Sequence, residues 1–141
     1  MKKYKTGYTT GVFDLFHIGH LNILRKAKEM CDYLIVGVST DELVQSYKNK
    51  TPVIPYEERK AIVEAIQYTD KVIPQTHRDK IKACKEIGFD VMFVGDDWKG
   101  SPLFLETENA FKQLGVEIVY FPYTRGTSST LLTEVLRKTL K

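Results

Sequence analysis

The chain has little cysteine, no long apolar run and no block of like charges. Its two cysteines, Cys31 and Cys84, lie far apart in sequence, which favours reduced thiols packed in a core over a disulfide framework. No stretch resembles a signal peptide or a membrane span, so we expect a cytoplasmic protein. The net charge of +3 is mild and no Lys/Arg run is present, which favours small anions over nucleic acid as ligands.

Several common functional motifs are also missing. The sequence contains neither Cys-x-x-Cys nor His-Glu-x-x-His, so no side-chain metal centre is predicted. Without a Gly-x-Ser-x-Gly elbow, a covalent serine mechanism is not indicated. The glycine-rich motifs of ordinary dinucleotide binding and of P-loop hydrolysis are absent as well. Any nucleotide chemistry must therefore use a different phosphate site.

What is present is a regular alternation of strand and helix patterns along 141 residues, 43% of them apolar. This alternation predicts an α/β fold: one Rossmann-like domain over residues 1–141, with a five-stranded parallel sheet and helices on both faces. The predicted strands are Tyr4–Thr10, Tyr33–Ser39, Lys71–Pro74, Val91–Val94 and Val116–Phe121. The predicted helices are Leu21–Met30, a short one capped around Ser39–Glu42, Tyr56–Tyr68, Asp79–Ile87, Leu105–Leu114 and Ser129–Lys138, with Gln45–Pro55 a loop.

The segment Gly11–His20 holds two of the three histidines, His17 and His20, between a predicted strand and a predicted helix. The free amides and the dipole of a first helical turn form an anion site. Two imidazoles there indicate a phosphate on which charge develops during a reaction, although buried, hydrogen-bonded turn residues are the alternative. Because the dipole disfavours imidazolium, both histidines should have a pKa at or below the ordinary value of about 6.5.

A second anion site is predicted where the last strand meets the last helix. Gly126, Thr127, Ser128, Ser129 and Thr130 combine amides and hydroxyls at a helix start, more than an ordinary N-cap requires. In a parallel sheet, ligands bind outside the carboxyl ends of the strands. The turns after the first, fourth and fifth predicted strands should therefore converge on one site.

Basic residues near the short helix are candidates for binding anions. Lys48 and Lys50 lie in the predicted loop, where two cations facing a triphosphate would form a lid. Arg59 occupies a first helical turn, which the dipole disfavours for a cation. An anionic partner would explain that position, and a salt bridge to Glu57 or Glu58 is the alternative.

The turn Gly95–Trp98 offers two carboxylates and the chain's one tryptophan. Adjacent side chains leaving a strand point in opposite directions, so both acids are unsuited to one ion. Asp97 and Trp98 are candidates to contact a base, with Trp98 as a cover over the core as the alternative. His77 stands alone in a polar stretch and is predicted to be a surface residue.

The stretch Gly11–His20 resembles the signature of the nucleotidyltransferase superfamily that carries the His-x-Gly-His motif. Within it, the chain is most similar to the cytidylyltransferases, and especially to the glycerol-3-phosphate group. The likeness covers nearly the whole chain, including Ser39–Glu42, Tyr56–Lys60, Val72–Pro74, Gly95–Trp98 and Gly126–Thr130.

This resemblance implies a set of roles. His17 and His20 would contact the CTP phosphates and stabilise the transition state, while Lys48 and Arg59 would face the acceptor. Nucleotide contacts would come from Gly11, Val12, Phe13, Gly19, Lys50, Gly126, Thr127, Ser128, Ser129 and Thr130. The family also implies a Mg²⁺ ion held mainly by the nucleotide phosphates, and a homodimer.

The implied reaction transfers CMP from CTP to a phosphorylated small alcohol, with glycerol 3-phosphate as the leading acceptor. Val12 replaces the family's threonine, Gln67 replaces an arginine, and Tyr123 stands where another arginine is expected. These departures leave the acceptor open, so phosphocholine, phosphoethanolamine and other phosphopolyols remain alternatives. Two further hypotheses are an ATP-using adenylyltransferase and a nucleotide-binding sensor without turnover.

Overall fold

The computed structural model describes residues 3–95 and 100–122. In these ranges the chain alternates between strands and helices, as the sequence patterns predict. The strands are β1 (Tyr4–Gly11), β2 (Cys31–Ser39), β3 (Lys71–Gln75), β4 (Val91–Gly95) and β5 (Glu117–Phe121). The helices are α1 (Ile18–Met30), α2 (Asp41–Lys48), α3 (Tyr56–Ala65), α4 (Lys80–Ile87) and α5 (Pro102–Leu114).

The five strands form one parallel sheet in the order β3-β2-β1-β4-β5. The central strand β1 pairs with β2 on one side and β4 on the other; Tyr8, for example, lies between Ile35 and Met92. The chain reverses its direction of winding between β1 and β4, which creates the crevice where such sheets bind ligands. The predicted Rossmann-like α/β fold is confirmed.

Alternate side chains of the sheet fill two cores. On one face, Leu34, Val36 and Val38 of β2 pack with α1 and α3. On the other face, Ile35 of the same strand packs with Met92 and with α4 and α5. A strand buried on both faces must be apolar without interruption, and this explains the continuous apolar run in β2. Helices therefore cover both faces, as predicted.

The prediction of a loop over Gln45–Pro55 is wrong at its start, because α2 continues to Lys48. The Thr40 side chain caps the helix by accepting a hydrogen bond from the Leu43 amide. Asn49 ends it in the left-handed conformation, with φ 53°, and donates its amide to the Gln45 carbonyl. Asparagine is one of the few residues that adopt this conformation readily. Lys48 thus belongs to a helical turn rather than to a loop.

Helix α3 is shorter than predicted and buries a charged residue. It ends at Ala65, three residues before the predicted end at Tyr68. Its buried residues are Val63 and, one helical turn earlier, Arg59. Ile62 is 43% exposed, and Ala65 is also exposed. A charged residue thus occupies a core position on this helix.

Three further predictions concern the cysteines, membrane-spanning helices and the last predicted helix. Cys31 and Cys84 are both free and buried, consistent with packing roles. Within residues 3–95 and 100–122, no helix is long and apolar enough to cross a membrane. The predicted helix Ser129–Lys138 lies outside the described residues.

Candidate active site

The turn after β1 adopts an unusual backbone conformation. Phe13 and Leu15 have φ angles of 55° and 50°, values that bulky side chains rarely adopt. Between them, the Asp14 carboxylate accepts hydrogen bonds from the amides of Val53 (2.8 Å) and Ile54 (2.9 Å). The turn is therefore fixed to the segment that follows Lys50. Local strain of this kind clusters at functional sites, where surrounding contacts maintain it.

The two motif histidines begin helix α1 together. The ring Nδ1 of His17 accepts a hydrogen bond from the Gly19 amide (3.0 Å), and Nδ1 of His20 accepts one from the His17 amide (3.2 Å). This reciprocal pattern is a capping box built from imidazoles instead of the usual hydroxyl and carboxylate. The rings stack with centroids 3.9 Å apart. His20 also contacts the rings of Phe13 and Phe16.

This geometry determines which ring nitrogen carries the proton. Because each Nδ1 accepts a backbone hydrogen bond, a neutral imidazole must hold its proton on Nε2. Burial lowers the pKa of His17, and burial together with the neighbouring His17 lowers the pKa of His20 to about 4, against a smaller opposite effect of Asp14. The predicted direction is correct, but burial rather than the helix dipole is the largest cause. Near neutral pH, both rings are neutral donors through Nε2.

Arg59 is buried, with 1% of its surface exposed, and it links the strand ends. Its Nε donates to the Ile54 carbonyl (2.8 Å), and Nη1 donates to the carbonyls of Val12 and Ser39 (both 2.7 Å). Nη2 forms an ion pair with Asp41 at 2.6 Å. The anionic partner that explains its position is therefore Asp41, not Glu57 or Glu58. Since its donors are engaged by the protein itself, this geometry gives no support to the predicted acceptor-binding role.

A cavity of about 600 Å³ opens at the carboxyl edge of the sheet, beside the histidine turn. Its apolar wall includes Phe13, Ile23, Val44 and Phe104. Asp14 is its one carboxylate among the described residues. Four basic side chains also line it: Lys48, Lys50, Arg78 and Lys80. A volume of this size suits a nucleotide or a pair of small ligands.

Known proteins share both the sequence pattern and the fold. The profile of the cytidylyltransferase-like family matches residues 8–135. The glycerol-3-phosphate cytidylyltransferase of Bacillus subtilis (strain 168) is 41% identical over 127 residues, covering 89% of this chain and 92% of its own. The chain belongs to the cytidylyltransferase-like family.

Two other relatives show the breadth of this family. An FAD synthase of Archaeoglobus fulgidus is 39% identical over 110 residues, or 78% of this chain and 79% of its own. The crystal structure of the lipopolysaccharide core biosynthesis protein from Thermoplasma volcanium GSS1 superimposes with a TM-score of 0.71 at 25% identity, covering 88% of this chain and 99% of that one. This chain is accordingly an enzyme of the nucleotidyltransferase type.

The structure brings six of the nine described residues of the predicted site to one cavity. Gly11, Val12, Phe13 and His20 line it from β1 and the turn and helix start that follow. Lys48 and Lys50 line it from the end of α2 and the residues after it. His17 does not line the cavity in the described part of the chain but stacks on His20, and Gly19 is buried in the first turn of α1. Their predicted contacts with a ligand remain predictions.

Two predicted segments lie outside the described residues. Asp97 and Trp98 belong to the first, and Gly126, Thr127, Ser128, Ser129 and Thr130 to the second. Three turns were predicted to converge on one site. Of these, the turn after β1 lines the cavity, and so does Gly95 at the end of β4.

Three charged cavity residues are absent from the sequence prediction: Asp14, Arg78 and Lys80. Asp14 lies inside the His-x-Gly-His segment and could have been included with it. Arg78 and Lys80 follow β3, whose carboxyl end lies at the same edge as those of the other strands. Including the turn after every parallel strand would have identified both residues.

Proposed function

We propose that this cytidylyltransferase-like enzyme transfers CMP from CTP to a phosphorylated small alcohol, with glycerol 3-phosphate as the leading acceptor. The observation that carries the proposal is the histidine capping box, which leaves Nε2 of His20 as a donor beside a cavity that is also lined by four cations. The 41% identical glycerol-3-phosphate cytidylyltransferase supports the choice of both substrates.

The proposed reaction follows from the charges of the two substrates. A phosphate oxygen of the acceptor attacks the α-phosphorus of CTP, and the bond from that phosphorus to the bridging α–β oxygen breaks in line. Pyrophosphate leaves with the bonding electrons, and the new phosphorus–oxygen bond completes the CDP-alcohol. The nucleophile is already an anion, so no general base or covalent enzyme intermediate is required. Catalysis then consists of aligning two anions and stabilising charge at phosphorus.

Two groups of described residues would supply these two effects. The Nε2–H of His20 donates towards the phosphate whose charge grows, with His17 fixing the ring by stacking and capping. Lys50 binds the triphosphate, and Lys48 lies towards the acceptor. Because a neutral imidazole does not repel a metal ion on the same phosphates, the lowered pKa values suit this role.

We also propose that Mg²⁺ accompanies CTP. Among the described residues, no group of three His, Cys, Asp or Glu side chains could hold a metal ion. The carboxylate of Asp14 beside a phosphate site is compatible with Mg²⁺, which is usually bound through substrate phosphates, water and one or two carboxylates rather than by an all-protein cage. When bound, the ion would neutralise phosphate charge that the basic side chains leave uncompensated.

The decisive experiment is pyrophosphate release by the full chain with CTP or ATP and a panel of phosphorylated alcohols in the presence of Mg²⁺. We expect release with CTP and glycerol 3-phosphate, and a CDP-alcohol as the second product. Release with ATP but not CTP would instead establish the adenylyltransferase hypothesis. CTP binding without turnover on any acceptor would establish the sensor hypothesis.

The assembly and location of the enzyme are also proposals. We propose a homodimer, in keeping with the family resemblance and with exposed apolar side chains such as Ile18 (52%) and Ile62 (43%). Sedimentation of the full chain should then give twice the monomer mass of 16.2 kDa. We further propose a cytoplasmic location, because both described cysteines are free thiols.

A further inference from the structure

Lys80 occupies an unusual position for a charged side chain. It is the first residue of α4, where the helix dipole disfavours a cation, and it is half-buried. Its Nζ lies 5.3 Å from the centroid of the Phe104 ring, and both residues line the large cavity. The ring face attracts a cation weakly, but it does not replace the counterion that a charge removed from water requires.

The acids closest to Lys80 along the chain have other partners. Asp79 caps α4 by accepting the Lys82 amide at 3.0 Å. Glu86, near the end of the same helix, lies 4.0 Å from Lys82 Nζ and 3.5 Å from Nε2 of His77. Among the residues that the structure describes, no ion pair joins Lys80 to an acid. Nothing in this part of the chain therefore fixes Lys80 in its charged form.

The surroundings favour the neutral amine. Burial, followed by repulsion from Arg78, lowers the pKa of Lys80 against an opposite effect of Asp79. An unprotonated lysine has a free electron pair and acts as a nucleophile, whereas an ammonium group does not. Burial, Lys50 and Arg78 also lower the pKa of Lys48, but that side chain is exposed. Lys80 is therefore the stronger candidate for a reactive amine.

The cavity gives small anions access to this amine. Besides Lys80, its wall carries Lys48, Lys50 and Arg78 within a volume of about 600 Å³. A concave surface with charge of one sign raises the local concentration of small ions of the opposite sign. An electrophile that carries a phosphate group would thus be concentrated beside the Lys80 nitrogen.

We propose that Lys80 is a site of covalent acylation by small acyl phosphates, and that this modification switches the enzyme off. The Lys80 nitrogen attacks the carbonyl carbon of the acyl phosphate and forms a carbon–nitrogen bond, while the bond from that carbon to the phosphate oxygen breaks. Inorganic phosphate leaves with the bonding electrons, and the nitrogen gives its extra proton to water. The product is a neutral amide, so the step requires neither an oxidant nor a reductant.

Acylation would change the cavity in two ways. It removes one of the four positive charges from a wall that, under the proposed function, faces two anionic substrates. It also adds an acyl group to the space that the substrates would occupy. The loss of activity therefore rests on the proposed function, whereas the position of the modified lysine does not. Activity would fall whenever acyl phosphates accumulate.

The first test identifies the modified lysine. The native full chain is incubated with acetyl phosphate, and the acetylation rate of each lysine is measured by peptide mass spectrometry. Lys80 should react at least about tenfold faster than Lys82, the lower end of the effect that a charged cleft has on small ions. Lys82 is the matched control, because it lies on the same helix with its side chain 62% exposed. In the urea-denatured chain the preference should disappear.

The same measurement can overturn the assignment. Equal rates at Lys80 and Lys82 in the native chain would contradict it, and so would faster acetylation of Lys48. An uncharged acetyl ester should show a smaller preference for Lys80 than acetyl phosphate does. An equal preference for both reagents would contradict the role assigned to the basic cavity wall.

The second test follows activity with CTP, glycerol 3-phosphate and Mg²⁺. Activity should fall in proportion to the fraction of Lys80 that is acetylated. Treated Lys80→Arg should keep most of its own untreated rate, whereas Lys82→Arg should lose activity as wild type does. Full activity of wild type with Lys80 completely acetylated would overturn the proposed switch. Untreated wild type that is inactive with every acceptor would refute the proposed function, and the acetylation rates would still decide the site.

Discussion

Two groups of side chains at the cavity, the histidine pair after β1 and the four basic residues that follow β2 and β3, are held in different ways. His17 and His20 are fixed by backbone hydrogen bonds, by stacking on each other and by the rings of Phe13 and Phe16. The basic side chains are exposed or half-buried; Lys48, Arg78 and Lys80 lie against aromatic rings, and no ion pair joins the four to an acid among the described residues. We call the histidine pair the rigid end of the site and the basic group its adaptable end.

This difference corresponds to two tasks. A donor that stabilises a transition state must be in place before charge develops, since reorganisation during the reaction would add to the barrier. A cation that binds substrate contributes to ground state and transition state alike, and an approximate position suffices. Arg59 has a structural task, because it donates to Val12 and to Ile54, whose own amide donates to Asp14 of the histidine turn. Changes in the two groups and at Arg59 should therefore affect different quantities.

The largest effect is expected at the rigid end. His20→Ala should lower kcat by a factor of about 10²–10³, or about 3–4 kcal/mol, because it removes a preorganised donor. Affinity for CTP should change much less. Steady-state kinetics combined with calorimetric titration of CTP measures both quantities. A kcat within about threefold of wild type would contradict the catalytic role and leave the motif as a structural turn.

The next effect is expected at Arg59. Arg59→Ala should lower the free energy of unfolding by about 3 kcal/mol, since three carbonyls and Asp41 lose a buried partner. Chemical denaturation monitored by circular dichroism tests this. The control is Arg25→Ala: this arginine pairs with Glu29 on the surface, and its loss should cost less than about 0.5 kcal/mol. Equal effects of the two substitutions would mean that the Arg59 contacts do not stabilise the fold.

A smaller effect is expected from pH. Because the folded pKa of His20 is lowered to about 4 from an ordinary 6.5, the unfolded chain binds the extra proton first as pH falls. Stability from this group is therefore complete above about pH 6.5 and is lost progressively down to about pH 4. Because the His20 ring is only partly buried, we expect the free energy of unfolding to fall by about 1–2 kcal/mol over this range. The slope should be reduced in His20→Gln, and an unchanged slope would contradict the assignment.

The smallest effect is expected at the adaptable end. Lys50→Ala should raise KM for CTP about tenfold while leaving kcat nearly unchanged, because the loop cation contributes uniform binding. Initial rates over a range of CTP concentrations separate these parameters. A fall in kcat without a change in KM would show that Lys50 acts on the transition state and would remove the contrast between the two ends.

The sequence was sufficient for the sheet because the strand signals are local. The continuous apolar run of β2 and the left-handed glycines after α4 and α5, Gly88 and Gly115, mark their elements without reference to the rest of the fold. The end of α2 was missed because the prolines at 52 and 55 outweighed Asn49 in the prediction, although asparagine is a common left-handed cap. Local rules thus predict the elements and some of their ends.

The site was predictable only where its residues share a motif. His17 and His20 are three residues apart, so the anion site could be inferred from one segment. The positions of Arg59 and Arg78 depend on partners distant in sequence, Val12 and Asp41 for the first and Tyr47 for the second. The sequence indicated an anionic partner for Arg59 but could not identify it as Asp41. Arg78 is exposed, in keeping with the polar surface stretch predicted around His77, and only the fold places it on the cavity.

The left-handed backbone at Leu15 has a consequence for how this enzyme could change under selection. A bulky residue with φ 50° costs the native state of order 1–3 kcal/mol, yet it keeps Asp14 directed at the amides of Val53 and Ile54. The substitution Leu15→Asn would relieve that cost. Selection for heat resistance alone would therefore favour substitutions that remove this backbone strain, whereas selection for turnover would favour keeping it. At the turn after β1, substitutions that raise stability should therefore differ from those that raise activity.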